Sequence, residues 1–170
     1  INGETLLGRT VRLLKEGDPR GKIIITSHDK RYEFSGAQRY EPLHNHLEID
    51  RFTEELIEDS VCFLYGDTFY SETAIDTILS TQTDDIIFFG NARSIVAIKV
   101  ADGALFKKHV RHVRELFLQG KIEKCIGWQV YQSFMGLPFG EKEIRENYVV
   151  LEDDTEDFNS PEDFNRRINK

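Results

Sequence analysis

Five apolar or aromatic residues, Val61-Cys62-Phe63-Leu64-Tyr65, run without a polar break and stop at Gly66-Asp67. A strand with one solvated face alternates apolar with polar residues. An unbroken run therefore predicts a strand covered on both faces, as in a parallel sheet flanked by helices. In open α/β sheets ligands bind at the carboxyl ends of the strands, so a carboxylate delivered there is well placed to hold an ion or a substrate hydroxyl. Gly-Asp is also common chemistry for a plain turn, and both alternatives stand at this stage.

The flanking sequence has the rhythm of such a sheet. Leu6, Leu7, Val11 and Leu14 fall near helical spacing between Glu4 and Glu16, with Arg9, Arg12 and Lys15 on the other side. Glycines and a proline from Gly17 to Gly21 end that helix, and Ile23-Ile24-Ile25 predicts a second buried strand. Ser27 to Leu47 is polar and aromatic without periodicity and is expected to be a long loop over the sheet edge. Helices are expected over Glu48–Asp59, burying Ile49, Phe52, Leu56 and Ile57, and over Ser71–Gln82, burying Ala74, Ile75, Ile78 and Leu79. Asp85–Phe89 and Ser94–Val100 are joined by Gly90-Asn91-Ala92-Arg93, a connection short enough to predict an antiparallel hairpin in a mixed sheet. A helix capped by Asp102 and stopped by Gly120 follows, then an aromatic stripe of Trp128, Tyr131 and Phe134 at helical spacing, either core or ligand platform. Tyr148 to Leu151 predicts the last strand. The pattern is α/β, and 170 residues suit a single domain.

Charge narrows the function classes. A net charge of −8 argues against a broad nucleic-acid surface, which needs clustered cations. Much of the acidity is local, in Glu152, Asp153, Asp154, Glu156, Asp157, Glu162 and Asp163, either a solvated surface or a divalent-cation site. No apolar run approaches spanning length and no leader precedes the first helix, so a cytoplasmic protein with no membrane partner is expected. Cys62 and Cys125 lack partners at metal-ligand spacing, which argues against zinc or a disulfide framework. His44 and His46, and likewise His109 and His112, are spaced like ligand pairs, yet without cysteine or carboxylate partners at ligand spacing ordinary surface or core positions explain them better.

Near the carboxyl end, Asp157-Phe158-Asn159-Ser160-Pro161-Glu162-Asp163 contains a helix start, with Ser160 as cap and Pro161 in the first turn. That account leaves Asp157 unexplained. A strand ending in Tyr-Gly-Asp, together with Asp-Phe-Asn-Ser-Pro-Glu-Asp, resembles the nucleotidyltransferases that make sugar, cytidine-diphospho and molybdopterin conjugates from nucleoside triphosphates. Ile1-Asn2-Gly3-Glu4-Thr5-Leu6-Leu7 with Arg9-Thr10-Val11 is similar to the segment those enzymes carry after their first motif. The resemblance implies a Rossmann-like, GT-A type three-layer sandwich with a mixed, mainly parallel central sheet. It implies that Asp67 and Asp157 are the catalytic carboxylates and share a Mg2+ ion, that Gly66 lies beside the nucleotide, and that the loop opening at Ser27 lies near the base. The implied reaction transfers a nucleoside monophosphate from a nucleoside triphosphate to a small phosphorylated acceptor, releasing pyrophosphate. The sequence departs from the family in that no Gly-rich loop with its lysine is present, so the expected domain, residues 1–170, lacks the first strand and that loop. A glycosyltransferase of related fold, or a nucleotide-binding domain without catalysis, are the alternatives; the Asp-x-Asp usual in the former is absent, because Thr68-Phe69 follows Asp67.

Overall fold

The computed structural model describes residues 3–141, 143–158, 160, 162 and 165. The chain divides into two compact units that interleave along the sequence, one of Ile1–Tyr40, Leu64–Thr81 and Leu151–Lys170, the other of Glu41–Phe63 and Gln82–Val150. The helix start expected from Ser160 onward falls largely outside the described residues.

The first unit opens on α1, Leu6–Gly17, where the Thr5 side chain accepts the Gly8 N–H at 3.0 Å. Val11 and Leu13 are buried, and α1 packs against α2, Glu72–Ser80, whose stripe Ala74, Ile75 and Ile78 is buried. Ser71 caps α2 as its sequence predicts, accepting the Ala74 N–H at 2.9 Å. A Cβ at Gly17 would sit 2.4 Å from a terminal methyl of Leu79, which would have to shift. β1, Ile24–Thr26, pairs in parallel with β2, Gln38–Tyr40. β1 is half-buried rather than buried, because a two-stranded sheet gives it little cover. β2 lies inside the expected loop, its Gln-Arg-Tyr sequence lacking any apolar signal. β4, Thr68–Phe69, pairs antiparallel with β8, Glu156–Asp157.

The second unit holds a four-stranded sheet in the order β3-β6-β5-β7. Its strands are β3 at Val61–Leu64, β5 at Ile86–Gly90, β6 at Ile95–Val100 and β7 at Tyr148–Val150. β5 and β6 form the expected antiparallel hairpin, with an irregularity at Phe89/Gly90, and β5 runs parallel to β7. The sheet is thus small and mixed.

The expectation for Val61–Tyr65 is corrected here. β3 takes an outer position and each of its four residues is half-buried. Its apolar run serves packing instead, for the Phe63 ring lies 5.7 Å from Phe52 and 5.5 Å from Phe106. The strands covered on both faces are β5 and β6, where Phe88, Phe89, Val96, Ala97 and Ile98 are all buried. α3, Gly103–Leu118, starts at Asp102, which accepts the Leu105 N–H at 2.8 Å, and packs on α4, Gly127–Met135.

The helix expected over Glu48–Asp59 is broken into two 3-10 turns, Glu48–Phe52 and Glu54–Leu56, by Thr53 at φ 44°. The Asp50 carboxylate accepts the His46 and Leu47 N–H groups at 2.8 and 2.9 Å, which holds the start of the first turn. Ile49, Phe52 and Ile57 are nevertheless buried. Among the described residues no helix is long and apolar enough to cross a membrane.

Candidate functional site

The segment after β3 turns back at once. Thr68 N–H reaches the Tyr65 carbonyl at 3.4 Å, so Tyr65-Gly66-Asp67-Thr68 is a tight turn into β4 rather than a passage from strand to helix. Gly66 and Asp67 are exposed, while Thr68, Phe69 and Tyr70 are buried directly after them. A Cβ at Gly66 would meet nothing within 4 Å, so the space above this turn is open to a bound group.

β8 brings the acidic run to the same place. Its register sets Asp157 opposite Thr68, and the next residue, Phe158, donates its N–H to the Asp67 carbonyl at 2.9 Å. Asp67, just ahead of β4, and Asp157 on β8, remote in sequence, are therefore one register step apart. Directly opposed residues of an antiparallel pair share a face, which gives Asp157 the face of Thr68. Asp67 stands just before the first residue of β4, in the turn, where the pleat does not dictate side-chain direction. The run is anchored upstream as well. Asp153 accepts the Thr155 N–H at 2.7 Å, and the Thr155 hydroxyl accepts the Ser71 N–H at 3.1 Å, tying it to the start of α2.

Carboxylate oxygens, exposed at Asp67 and half-buried at Asp157, are hard donors of the kind that suit Mg2+, which keeps several waters and takes one or two carboxylates beside substrate phosphates. Among the described residues no group of three or more His, Cys, Asp or Glu is placed to hold a metal ion.

Ser27 has other company. It stands after the carboxyl end of β1, donates its N–H to Tyr40 at 2.9 Å, accepts the Asp29 N–H on its hydroxyl at 3.0 Å, and offers its carbonyl to Arg39 at 2.8 Å. His46 donates its N–H to Asp50, and His109 Nδ1 lies 2.9 Å from the Ser133 hydroxyl with its ring edge-on to Phe134. Burial, then the neighbouring Lys108 and His112, push the His109 pKa down. Of the predicted stripe Trp128, Tyr131 and Phe134, the first two are buried, with Trp128 stacked at 5.6 Å on Tyr148 of β7, and half-buried Phe134 lies 6.3 Å from Phe88.

Two residues around the turn carry no sequence signal. Tyr70, 1% exposed, accepts the Tyr65 N–H on its hydroxyl at 2.9 Å and donates back to the Tyr65 carbonyl at 3.2 Å. Arg9 donates from Nε to the Tyr70 carbonyl at 3.2 Å, lies 4.8 Å over the Phe69 ring and reaches Glu72 at 3.8 Å. Spacing does not single out Tyr70 beside Phe69, and neither spacing nor residue type distinguishes Arg9 from Arg12.

Comparison of the chain with models of protein families, with curated proteins and with solved structures finds no match.

Proposed function

We propose that this chain is a Mg2+-dependent nucleotidyltransferase domain in which Asp67 and Asp157 hold the ion. The observation that carries the proposal is the meeting of the Gly66-Asp67 turn with β8, through the Thr68–Asp157 register and the Phe158-to-Asp67 hydrogen bond. The pairing of β5 with antiparallel β6 and parallel β7 gives the mixed α/β character that a Rossmann-like, GT-A type reading requires. When bound, the ion supplies positive charge to a triphosphate and to the negative charge that develops as an acceptor oxygen attacks the α-phosphate. The chain's own contribution is positional. The turn holds Asp67 in the open, β8 holds Asp157 beside it, and the open space over Gly66 lets a nucleotide approach the backbone. The partners are a nucleoside triphosphate and a small phosphorylated acceptor, and the setting is cytoplasmic.

Binding of Mn2+, a paramagnetic substitute for Mg2+, tests the site directly. Electron paramagnetic resonance titration should show one saturable ion, strengthened by a nucleoside triphosphate. Asp67→Asn and Asp157→Asn should each weaken it at least tenfold, the usual order for losing a carboxylate ligand or its close support. Binding of the wild-type protein that either substitution leaves unchanged would remove that residue from the site.

A further inference from the structure

We propose that Tyr70 is the positioning residue of the Asp67 turn, a role that rests on Asp67 being a metal ligand. The turn's own closing hydrogen bond, Thr68 N–H to the Tyr65 carbonyl, is long at 3.4 Å and so weak. Gly66 adds backbone freedom, and both central residues are exposed. Left to itself, such a turn would sample many directions for the Asp67 carboxylate.

The Tyr70 hydroxyl removes that freedom. A single oxygen pairs with both main-chain groups of Tyr65, at 2.9 and 3.2 Å, and so closes the six-residue segment 65–70 across its base. The phenol can do this because its ring is 1% exposed and has only two side-chain torsions to restrict. Its own backbone is held in turn, since Arg9 on α1 bonds the Tyr70 carbonyl and covers the preceding Phe69 ring. On the far side, Phe158 N–H fixes the Asp67 carbonyl. Asp67 is thus gripped on two sides, by β8 at its own carbonyl and by Tyr70 at the start of the turn. Groups that orient a metal ligand without touching the metal typically change affinity 10- to 100-fold when removed.

Tyr70→Phe deletes the oxygen and keeps the ring, and Ile78→Val removes one buried methyl from α2 in the same unit without touching the turn. Tyr70→Phe should bind Mn2+ about tenfold more weakly and show faster amide hydrogen exchange at Gly66, Asp67 and Thr68, with Ile78→Val matching the wild type in both. Equal Mn2+ affinity in Tyr70→Phe and the wild type, or equal loss in both variants, would overturn the assignment. Should the wild type bind no Mn2+, the ion site at Asp67 and Asp157 fails. Amide exchange then decides Tyr70 alone, and unaltered protection of the turn in Tyr70→Phe overturns its role.

Discussion

Asp50 is the residue whose loss should cost the second unit most. Its side chain is 1% exposed, with Oδ2 accepting the His46 and Leu47 N–H groups and Oδ1 paired with the Arg114 guanidinium. Burial works to raise its pKa, but the Leu47 and His46 amides and Arg114 outweigh burial and hold the carboxyl below its ordinary value. Asp50→Asn is nearly isosteric, yet one of the two oxygens becomes an NH2 that faces either two backbone N–H donors or the guanidinium. With bonds to a charged group worth about 1.5–3 kcal/mol and those to a neutral one about 0.5–1.5, the substitution should cost about 3 kcal/mol at pH 7. Asp50→Ala, which leaves the arginine without its buried partner, should cost about 3–5 kcal/mol. Arg114→Met leaves the Asp50 carboxylate its two amides but no counter-ion in a site 1% exposed, and should cost about 3 kcal/mol, the low end for a broken buried pair.

Urea unfolding followed by the fluorescence of Trp128, the only tryptophan, reads these values in the same unit. The pH dependence has a definite sign. A carboxyl whose folded pKa is depressed stabilises the fold above its unfolded value, about 3.9, and loses that contribution as pH falls through the lower folded value. The gap between wild type and Asp50→Asn should therefore be full at pH 7 and narrow steadily below about pH 4. A difference under about 0.5 kcal/mol at pH 7, within the range of ordinary surface substitutions, would refute the reasoning. A gap that does not move with pH would refute it equally.

Other outcomes follow from the same structure. Burial pushes the Cys62 thiol up to about 12 despite nearby Lys99, so Cys62 should resist Ellman's reagent at pH 8 until the protein is unfolded; rapid native reaction would contradict its placement. Asn147 adopts φ 57° and its side-chain amide donates to the Asp85 carboxylate and the Ile86 carbonyl, both at 2.9 Å. Asn147→Gly should lose only those bonds, about 1–3 kcal/mol in all, whereas Asn147→Ala should be about 1 kcal/mol worse because alanine resists the left-handed region. Chemical denaturation that ranks glycine below alanine would reject this. Gly103 begins α3 so close to Glu58 that a Cβ would lie 2.6 Å from its carbonyl carbon, so Gly103→Ala should lower the melting temperature by several degrees.

Much of the candidate site was legible in the residues, though for an incomplete reason. An apolar run that stops at Gly-Asp does mark a strand end followed by an exposed carboxylate, and the acidic run does return Asp157 to it. The sequence argument placed both at one edge of a buried parallel sheet. In the structure β4 and β8, two residues each, bring them together. Strands that short have no periodicity to detect, and the clasp formed by Tyr70 and Arg9 depends on contacts between segments far apart in the chain.

Local chemistry determined α1 to α4, the caps at Thr5, Ser71 and Asp102, and the β5–β6 hairpin, because each depends on neighbours within a few residues. Tertiary structure alone decided that β3 takes an outer place, that Thr53 breaks the expected helix, and that Asp67 meets Asp157. Those outcomes turn on which distant segments supply the missing hydrogen-bond partners and cover. A side-chain pattern with a period of two or 3.6 shows that a face needs covering, and only the folded chain chooses what covers it.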